Sequence, residues 1–301
     1  MKSGPGEFCS TTCDLSLNNL SRIEPLVYQG VFVNRMMISS VKALRVHQIR
    51  SKMLVNRLQT QWEPKDLYTK YVQRLLIDNL QLAPILLPLC KNLTSLAIGL
   101  NPDEAGQAVM HPLFTSNTLS FPKLRRLWLF WGILPPRRRS FRSSIFKSLT
   151  HLEVDLGNDK YWSGLSSLKN LTNLRLNIRN THIENASQIE DVLHRIIYII
   201  LPNLPPSLKY FTVLFEPRYA AYTASKSCTQ ICWDIEIGKY DSRLLLDWSG
   251  FAPSQVVIGQ FILSRNLDLL NSWTYSSRCY MDCWRRAELE IENRNRRYGS
   301  V

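Results

Sequence analysis

Glu153 and Asp155 come nearest, by type and spacing, to a pair that could do chemistry. Two positions apart, they share one side of an extended strand, and two carboxylates with divergent pKa values can act as general acid and base. No further group joins them. His47, His111, His151, His182 and His194 show neither metal-ligand spacing nor a zinc-type cysteine partner. Neither G-x-x-x-x-G-K nor G-x-S-x-G occurs, so the chain offers no phosphate loop and no nucleophile elbow. The pairs Cys9/Cys13, Cys228/Cys232 and Cys279/Cys283 each stand four apart, which on a helix puts both sulfurs on one face. Structural zinc normally needs two such pairs close in space, and nothing in the sequence brings two together. The expectation is a protein that is not an enzyme and carries no cofactor and no metal.

The strand holding the two carboxylates belongs to a recurring pattern. Leu93, Leu96, Ile98 and Asn101 follow the leucine-rich frame L-x-x-L-x-L-x-x-N. Looser copies fall at Val72, Leu75 and Ile77; at Leu124, Leu127 and Leu129; at Leu149, Leu152 and Val154; at Leu171, Leu174 and Leu176; and at Leu208, Phe211 and Val213. Most copies follow a similar lead-in: Cys90-Lys91-Asn92, Phe121-Pro122-Lys123, Phe146-Lys147-Ser148, Leu168-Lys169-Asn170 and Pro205-Pro206-Ser207. Turn chemistry therefore repeats along with the apolar frame. The frames stand roughly 20 to 37 residues apart, against 20 to 29 in regular leucine-rich repeats, so connections of unequal length must fill the far side.

The pattern predicts an α/β fold: an irregular leucine-rich-repeat solenoid with short parallel strands on the concave side, helices and loops on the convex side, and small caps at both ends. Residues 1–65 read as the N-terminal cap, 66–260 as the repeats and 261–301 as a C-terminal cap with a basic helix. Among the connections, Ser187 and Glu190 form a capping-box pair ahead of Ile189, Val192, Leu193, Ile196, Ile197 and Ile200, a helix that Pro202 ends. The stretch from Leu82 to Leu89, interrupted by Pro84 and Pro88, reads as one or two loose turns.

Side chains on a strand alternate, so frame leucines turn inward and the residues between them turn outward. The outward set comprises Arg74, Leu76 and Asp78; Ser95, Ala97 and Gly99; Arg126, Trp128 and Phe130; His151, Glu153 and Asp155; Asn173, Arg175 and Asn177; and Tyr210, Thr212 and Leu214. It is expected to be an exposed ladder on the concave face. Within it Trp128 and Phe130, with Trp131 and Arg125 and Arg126 beside them, have the residue types that dominate interface energetics. Glu153, Asp155 and Arg175 flank them as a mixed-charge patch suited to a protein partner. The candidate partner-binding residues are thus Arg126, Trp128, Phe130, Glu153, Asp155 and Arg175. The alternative is that the aromatics merely pack against loops.

Composition sets the wider bounds. With 301 residues and 45% hydrophobic content the chain can bury a full core. No apolar run approaches the roughly 20 residues of a membrane span, so no membrane association is expected. Met1 to Phe8 lacks the basic and apolar regions of a secretory signal, and seven cysteines make no disulfide framework; both point to the cytoplasm or nucleus. There the glycan-type triplets Asn92-Leu93-Thr94 and Asn170-Leu171-Thr172 carry no weight. The net charge of +13 favours anionic partners, nucleic acid among them. Its clusters, Arg137, Arg138, Arg139 and Arg142, and then Arg285, Arg286, Arg294, Arg296 and Arg297, read as solvated surface. Arg137 to Ser140 reads as an exposed loop, with a localisation or phosphorylation element as the alternative.

Three stretches resemble the fungal, basidiomycete-type F-box and leucine-rich-repeat family. Leu20-Ser21-Arg22-Ile23-Glu24-Pro25-Leu26-Val27-Tyr28 is similar to the end of its F-box region, the frames from Val72 to Val213 to its repeats, and Cys283-Trp284-Arg285-Arg286-Ala287-Glu288 to its closing tryptophan-containing helix. The resemblance implies a substrate adaptor of a cullin-based ubiquitin ligase, with the F-box gripping a Skp-type adaptor and the repeats gripping a protein substrate. The Leu-Pro-x-Glu-Leu-like helix that opens an F-box does not occur, so Cys13 to Tyr28 would supply at most its last helix, which weakens the expectation of a Skp-type partner. The functional expectation is a protein-binding scaffold; the alternative is a basic nucleic-acid binder with Trp128, Trp131, Tyr280 and Trp284 interleaved among its arginines.

Overall fold

A computed structural model describes residues 30–33, 65–77, 83–98, 121–129, 141, 143–156, 162–178, 183, 185–215, 226–247 and 283–298. In chain order these form β1 (Gly30–Val33), α1 (Lys65–Tyr71), β2 (Arg74–Ile77), α2 (Ala83–Leu86), β3 (Ser95–Ile98), β4 (Arg126–Leu129), β5 (His151–Asp155), β6 (Asn173–Ile178), α3 (Ala186–Arg195), β7 (Tyr210–Phe215), α4 (Lys226–Glu236), β8 (Leu244–Asp247) and α5 (Cys283–Tyr298). Several readings fall outside the described residues: the Leu20 to Tyr28 segment, Asp78, Gly99, Asn101, Phe130, Trp131, the Arg137 to Arg142 arginines, His47, His111, His182, Cys9, Cys13, Cys279 and Tyr280.

The eight strands make one sheet in the order of the sequence, every neighbouring pair parallel. Strand follows strand without a crossover past a neighbour, so the α/β arrangement is compatible with a solenoid. The register follows the frames. Leu75, Leu96, Leu127, Leu152, Leu174, Phe211 and Leu244 stand side by side in one row, and Ile77, Ile98, Leu129, Val154, Leu176, Val213 and Leu246 in the next. Both rows are buried in a single apolar cluster with the first frame residues Val72, Leu93, Leu124, Leu149, Leu171 and Leu208. β8 lacks a full frame in the sequence because Asp241 stands where an aliphatic residue would open it, yet its leucines continue both rows.

The lead-ins explain why each turn docks on the one before. Leu124, Leu149, Leu171 and Leu208 donate their backbone N–H groups to Phe121, Phe146, Leu168 and Pro205, three residues back, closing tight turns that admit Pro122 and Pro206. The polar residue next to each leucine then reaches back one turn of the chain. Asn92 Nδ2 donates to Thr69 O, Ser148 Oγ to Leu124 O, Asn170 Nδ2 to Lys147 O and Ser207 Oγ to Leu171 O, each at 2.8 Å, while Lys123 Nζ donates to Asn92 Oδ1. On the other side of the leucine, Thr94, Thr150 and Thr172 donate hydroxyls to Gln73 O, Arg125 O and Thr150 O, doubling the backbone bonds there.

The opposite side of the core is uneven, as the spacing requires. Between β6 and β7, α3 buries Ile189, Val192 and Leu193, and a wider turn over Ile196–Ile200 buries Ile196, Ile197 and Ile200. Two details differ from the sequence reading. The helix starts at Asn185, whose side chain accepts from Gln188 N, in place of a Ser187/Glu190 box; and Pro202 sits inside a final tight helical turn, Leu201–Asn203, at a position where its missing N–H costs nothing. Between β4 and β6, where connections are too short for long helices, Phe141, Phe146 and Trp162 fill the space, with ring centroids 5.4 and 6.1 Å from Phe141.

Leu152 is fully buried in the middle of the inward row. Leu152→Ala is expected to cost about 2–5 kcal/mol in chemical denaturation, whereas exposed Lys169→Ala stays within about 0.5 kcal/mol of the parent.

Candidate functional site

The outward residues align as tightly as the inward ones. One row runs Arg74, Ser95, Arg126, His151, Asn173 and Tyr210; the next runs Ala97, Trp128, Glu153, Arg175, Thr212 and Leu245; a third, shorter row runs Asp155, Asn177, Leu214 and Asp247. Five of the six candidate residues, Arg126, Trp128, Glu153, Asp155 and Arg175, therefore meet on this ladder face across three adjacent strands. Phe130 lies outside the described residues.

The expectation of an exposed ladder does not hold. Trp128, Glu153, Asp155, Asn173, Arg175, Asn177 and Thr212 are all less than a tenth exposed, while Arg74, Arg126, His151 and Tyr210 along one margin and Asp247 at the other are half-buried. α5 meets this face along the row through His151, Asn173 and Tyr210 and at Leu245. The Trp284 ring meets His151 edge-on at 5.2 Å, Glu288 Oε1 accepts from Asn173 Nδ2 at 3.4 Å, and Ala287 and Ile291 pack with Leu245 and Tyr210. Arg294, read from sequence as surface charge, is buried and donates to the backbone carbonyls of Ser242, Leu244 and Ile235, where α4 returns to β8. Burial loosens its hold on its proton, opposed by the charges of Glu236, Asp241 and Glu290. Arg285 stays exposed and pairs with Glu288 at 3.0 Å; Arg296 and Arg297 are exposed.

A polar network fills the face between strands. Asn177 Nδ2 donates to Glu153 Oε1 at 2.7 Å, and Arg175 reaches past β7 to Asp247 Oδ2 on β8 at 3.4 Å. Two buried acceptors on this face, Asn177 Oδ1 and Thr212 Oγ1, meet no hydrogen-bond partner among the described residues. The charge is uneven. β5 to β8 present Glu153, Asp155 and Asp247 against Arg175, whereas β2 and β4 present Arg74 and Arg126, whose proximity adds to burial in lowering the Arg74 pKa. Through its bond from Asn177, Glu153 is part of this network.

Comparison with protein-family models, curated proteins and solved structures gives no match. The site thus rests on its own geometry. No helix among the described residues is long and apolar enough to cross a membrane. Cys228 and Cys232 share a face of α4 as their spacing implies, but among the described residues no group of three or more metal-ligating side chains converges on them. Burial pushes the Cys90 and Cys232 thiols up to about 12, with Cys228 adding to the effect on Cys232, so neither is a reactive thiolate at neutral pH.

Sequence reasoning placed the ladder and missed its cover. The signal was present: Trp284, Ala287, Ile291 and Arg294 recur at helical spacing and make one stripe, in a segment whose arginines and glutamates otherwise read as solvated.

Asp241 anchors the loop under Arg294. Burial alone would raise its pKa, but hydrogen bonds from Arg243 at 2.6, 2.8 and 2.9 Å and the nearby Arg294 charge hold it below the usual carboxylate value. A depressed acid contributes stability fully above its unfolded value, about 3.9, and loses it as pH falls through the folded value. Asp241→Asn should therefore lower stability at pH 7 and flatten the loss of stability below about pH 4, as read by urea titrations across pH.

Proposed function

We propose that the chain is a non-catalytic protein-binding scaffold of irregular leucine-rich repeats and, following the F-box resemblance, the substrate-recognition part of a cullin-type ubiquitin ligase adaptor. One observation carries the first half: the outward residues of the parallel strands β2 to β8 align in rows, and a polypeptide segment of the same chain, α5, already lies along part of them. A face that accommodates a helix with a tryptophan, small and aliphatic side chains and an arginine is shaped for protein. The repeat assignment is supported by frame residues standing in register on every strand from β3 to β7, leucine, isoleucine or valine on β3 to β6 and Phe211 and Val213 on β7. The ligase half rests on the resemblance alone.

Nucleic acid is the second reading, favoured by the net charge and by Arg74 and Arg126 along one margin of the face. The acidic bias from β5 to β8 opposes it, because a phosphate backbone would meet Glu153, Asp155 and Asp247.

Affinity capture from cells with the full chain and with Arg126→Glu decides between these. The expected outcome is a set of bound proteins that Arg126→Glu depletes without unfolding the chain. Capture unchanged by the substitution defeats the scaffold reading of this face. Co-purification of a Skp-type adaptor supports the ligase arm, and its absence removes that arm alone. Binding to DNA or RNA that falls by orders of magnitude from 50 to 200 mM salt would favour the second reading.

A further inference from the structure

The way α5 sits follows from two spacings. Strands in a sheet repeat at about 4.8 Å, so β5 to β8 span about 14 Å. A helix rises about 1.5 Å per residue, so the ten steps from Trp284 to Arg294 span about 15 Å. One helical turn therefore covers nearly one strand interval, and a helix laid across the strands meets them in order. That is the observed pattern: Trp284 meets His151 on β5, Glu288 meets Asn173 on β6, Ala287 and Ile291 pack with Tyr210 on β7 and Leu245 on β8, and Arg294 reaches Leu244 O at the start of β8. Charge matches as well. α5 carries five arginines and three glutamates between 283 and 298, over strands whose outward residues include three acids and one arginine.

The seat is shallow in apolar terms. Among the described residues of α5 the buried apolar side chains are Trp284, Ala287 and Ile291, and the cluster that Ala287 and Ile291 form with Leu245, with Tyr210 at its edge, is separate from the main core. Such a small apolar contact belongs to the low-stability end of a structure, where local opening occurs. Residues 248–282 join α5 to β8 in the same chain.

We propose that the ladder face over β5 to β8 is a helix-binding surface, that α5 is its resident and displaceable occupant, and that the protein partner engages it by presenting an amphipathic helix in place of α5. This rests on the protein-binding reading and names the kind of partner. The partner helix carries the α5 spokes: an aromatic residue, small or aliphatic residues three and seven positions on, and an arginine ten positions on. Because the tether gives α5 an effective concentration that a free competitor must exceed, the untouched chain is largely closed to weak ligands.

The test uses the full chain and a fluorescein-labelled peptide with the sequence of residues 284–298, followed by anisotropy. The chain carrying Trp284→Ala and Ile291→Ala should bind this peptide at least tenfold tighter than the parent does, and the peptide carrying the same two alanines should bind neither. Equal binding by the two folded chains, or binding by neither, overturns the proposal. Hydrogen exchange on the parent supplies a measurement that needs no variant. Amides of α5 should exchange at least tenfold faster than those of β6, and excess peptide should deprotect α5 while leaving β6 unchanged. Equal protection of α5 and β6 overturns the proposal. Excess peptide should also release the captured proteins, because they and α5 share the β5 to β8 seat; proteins that Arg126→Glu on β4 depletes but the peptide leaves bound keep the scaffold reading and overturn this proposal, whereas peptide binding with no captured protein keeps the surface and removes the scaffold function.

Discussion

Each parallel strand bonds only to the strand before and after it, and this neighbour-by-neighbour hydrogen bonding governs the molecule. An unsatisfied buried peptide group is costly, so each turn of the chain must present its donors where the previous turn has acceptors. The backbone does this at the strand starts, from Thr94 on Gln73 O to Lys209 on Thr172 O. Asn92, Ser148, Asn170 and Ser207 do it again with side chains just ahead of the leucines. With the starts pinned at one height, register follows, and a period-two backbone sorts each strand into inward aliphatic rows and outward polar rows. The lengths of the connections are left free. That freedom is why α3 and its wide turn can occupy one gap while Phe141, Phe146 and Trp162 fill another.

The two faces of the sheet solve burial differently. Inward rows need only volume and apolarity. The outward face is also withdrawn from water over most of its area, yet it carries carboxylates, amides and guanidinium groups, which stay buried only when paired. The Glu153–Asn177 bond, the Arg175–Asp247 pair and the placement of Arg294 on three carbonyls are the local answers. A truncated partner in such a network leaves a charge or dipole stranded, which costs more than the pair itself contributes. The face is therefore rigid in composition while its cover, a single polar helix with a narrow apolar stripe, is held lightly.

Much of this was legible in the residues. Six frames at matching offsets predicted which side chains stand shoulder to shoulder, and the row through Leu96, Leu127, Leu152 and Leu174 is the one the structure builds. The lead-ins predicted the turns because Phe-Pro-Lys-Leu and Leu-Lys-Asn-Leu are local chemistry. What escaped was non-local. Nothing in the pattern near His151 or Asn173 says that residues more than a hundred positions later will meet them, and charge-rich helices are ordinarily solvated. β8 escaped for a different reason: Leu244, Leu245 and Leu246 are apolar without alternation, because Leu245 is buried beneath α5 on the outward side. The helix start at Asn185 illustrates a smaller limit, since several residues in a polar run can cap and the one chosen depends on where the chain enters.

A repeat array usually tolerates gain or loss of whole units, since each touches only its neighbours. If the chain is the repeat array proposed for it, α5 makes one portion of it an exception. Its anchor points on β5 and β8 are a fixed helical distance apart, so it works as a ruler four strands long. One strand more between them would carry the carbonyls at the start of β8 about 4.8 Å beyond the reach of Arg294, and one fewer would crowd Trp284 off His151. Over β1 to β4, where α5 makes none of these contacts, unit number can drift during evolution; from β5 to β8 it is gauged by a single helix.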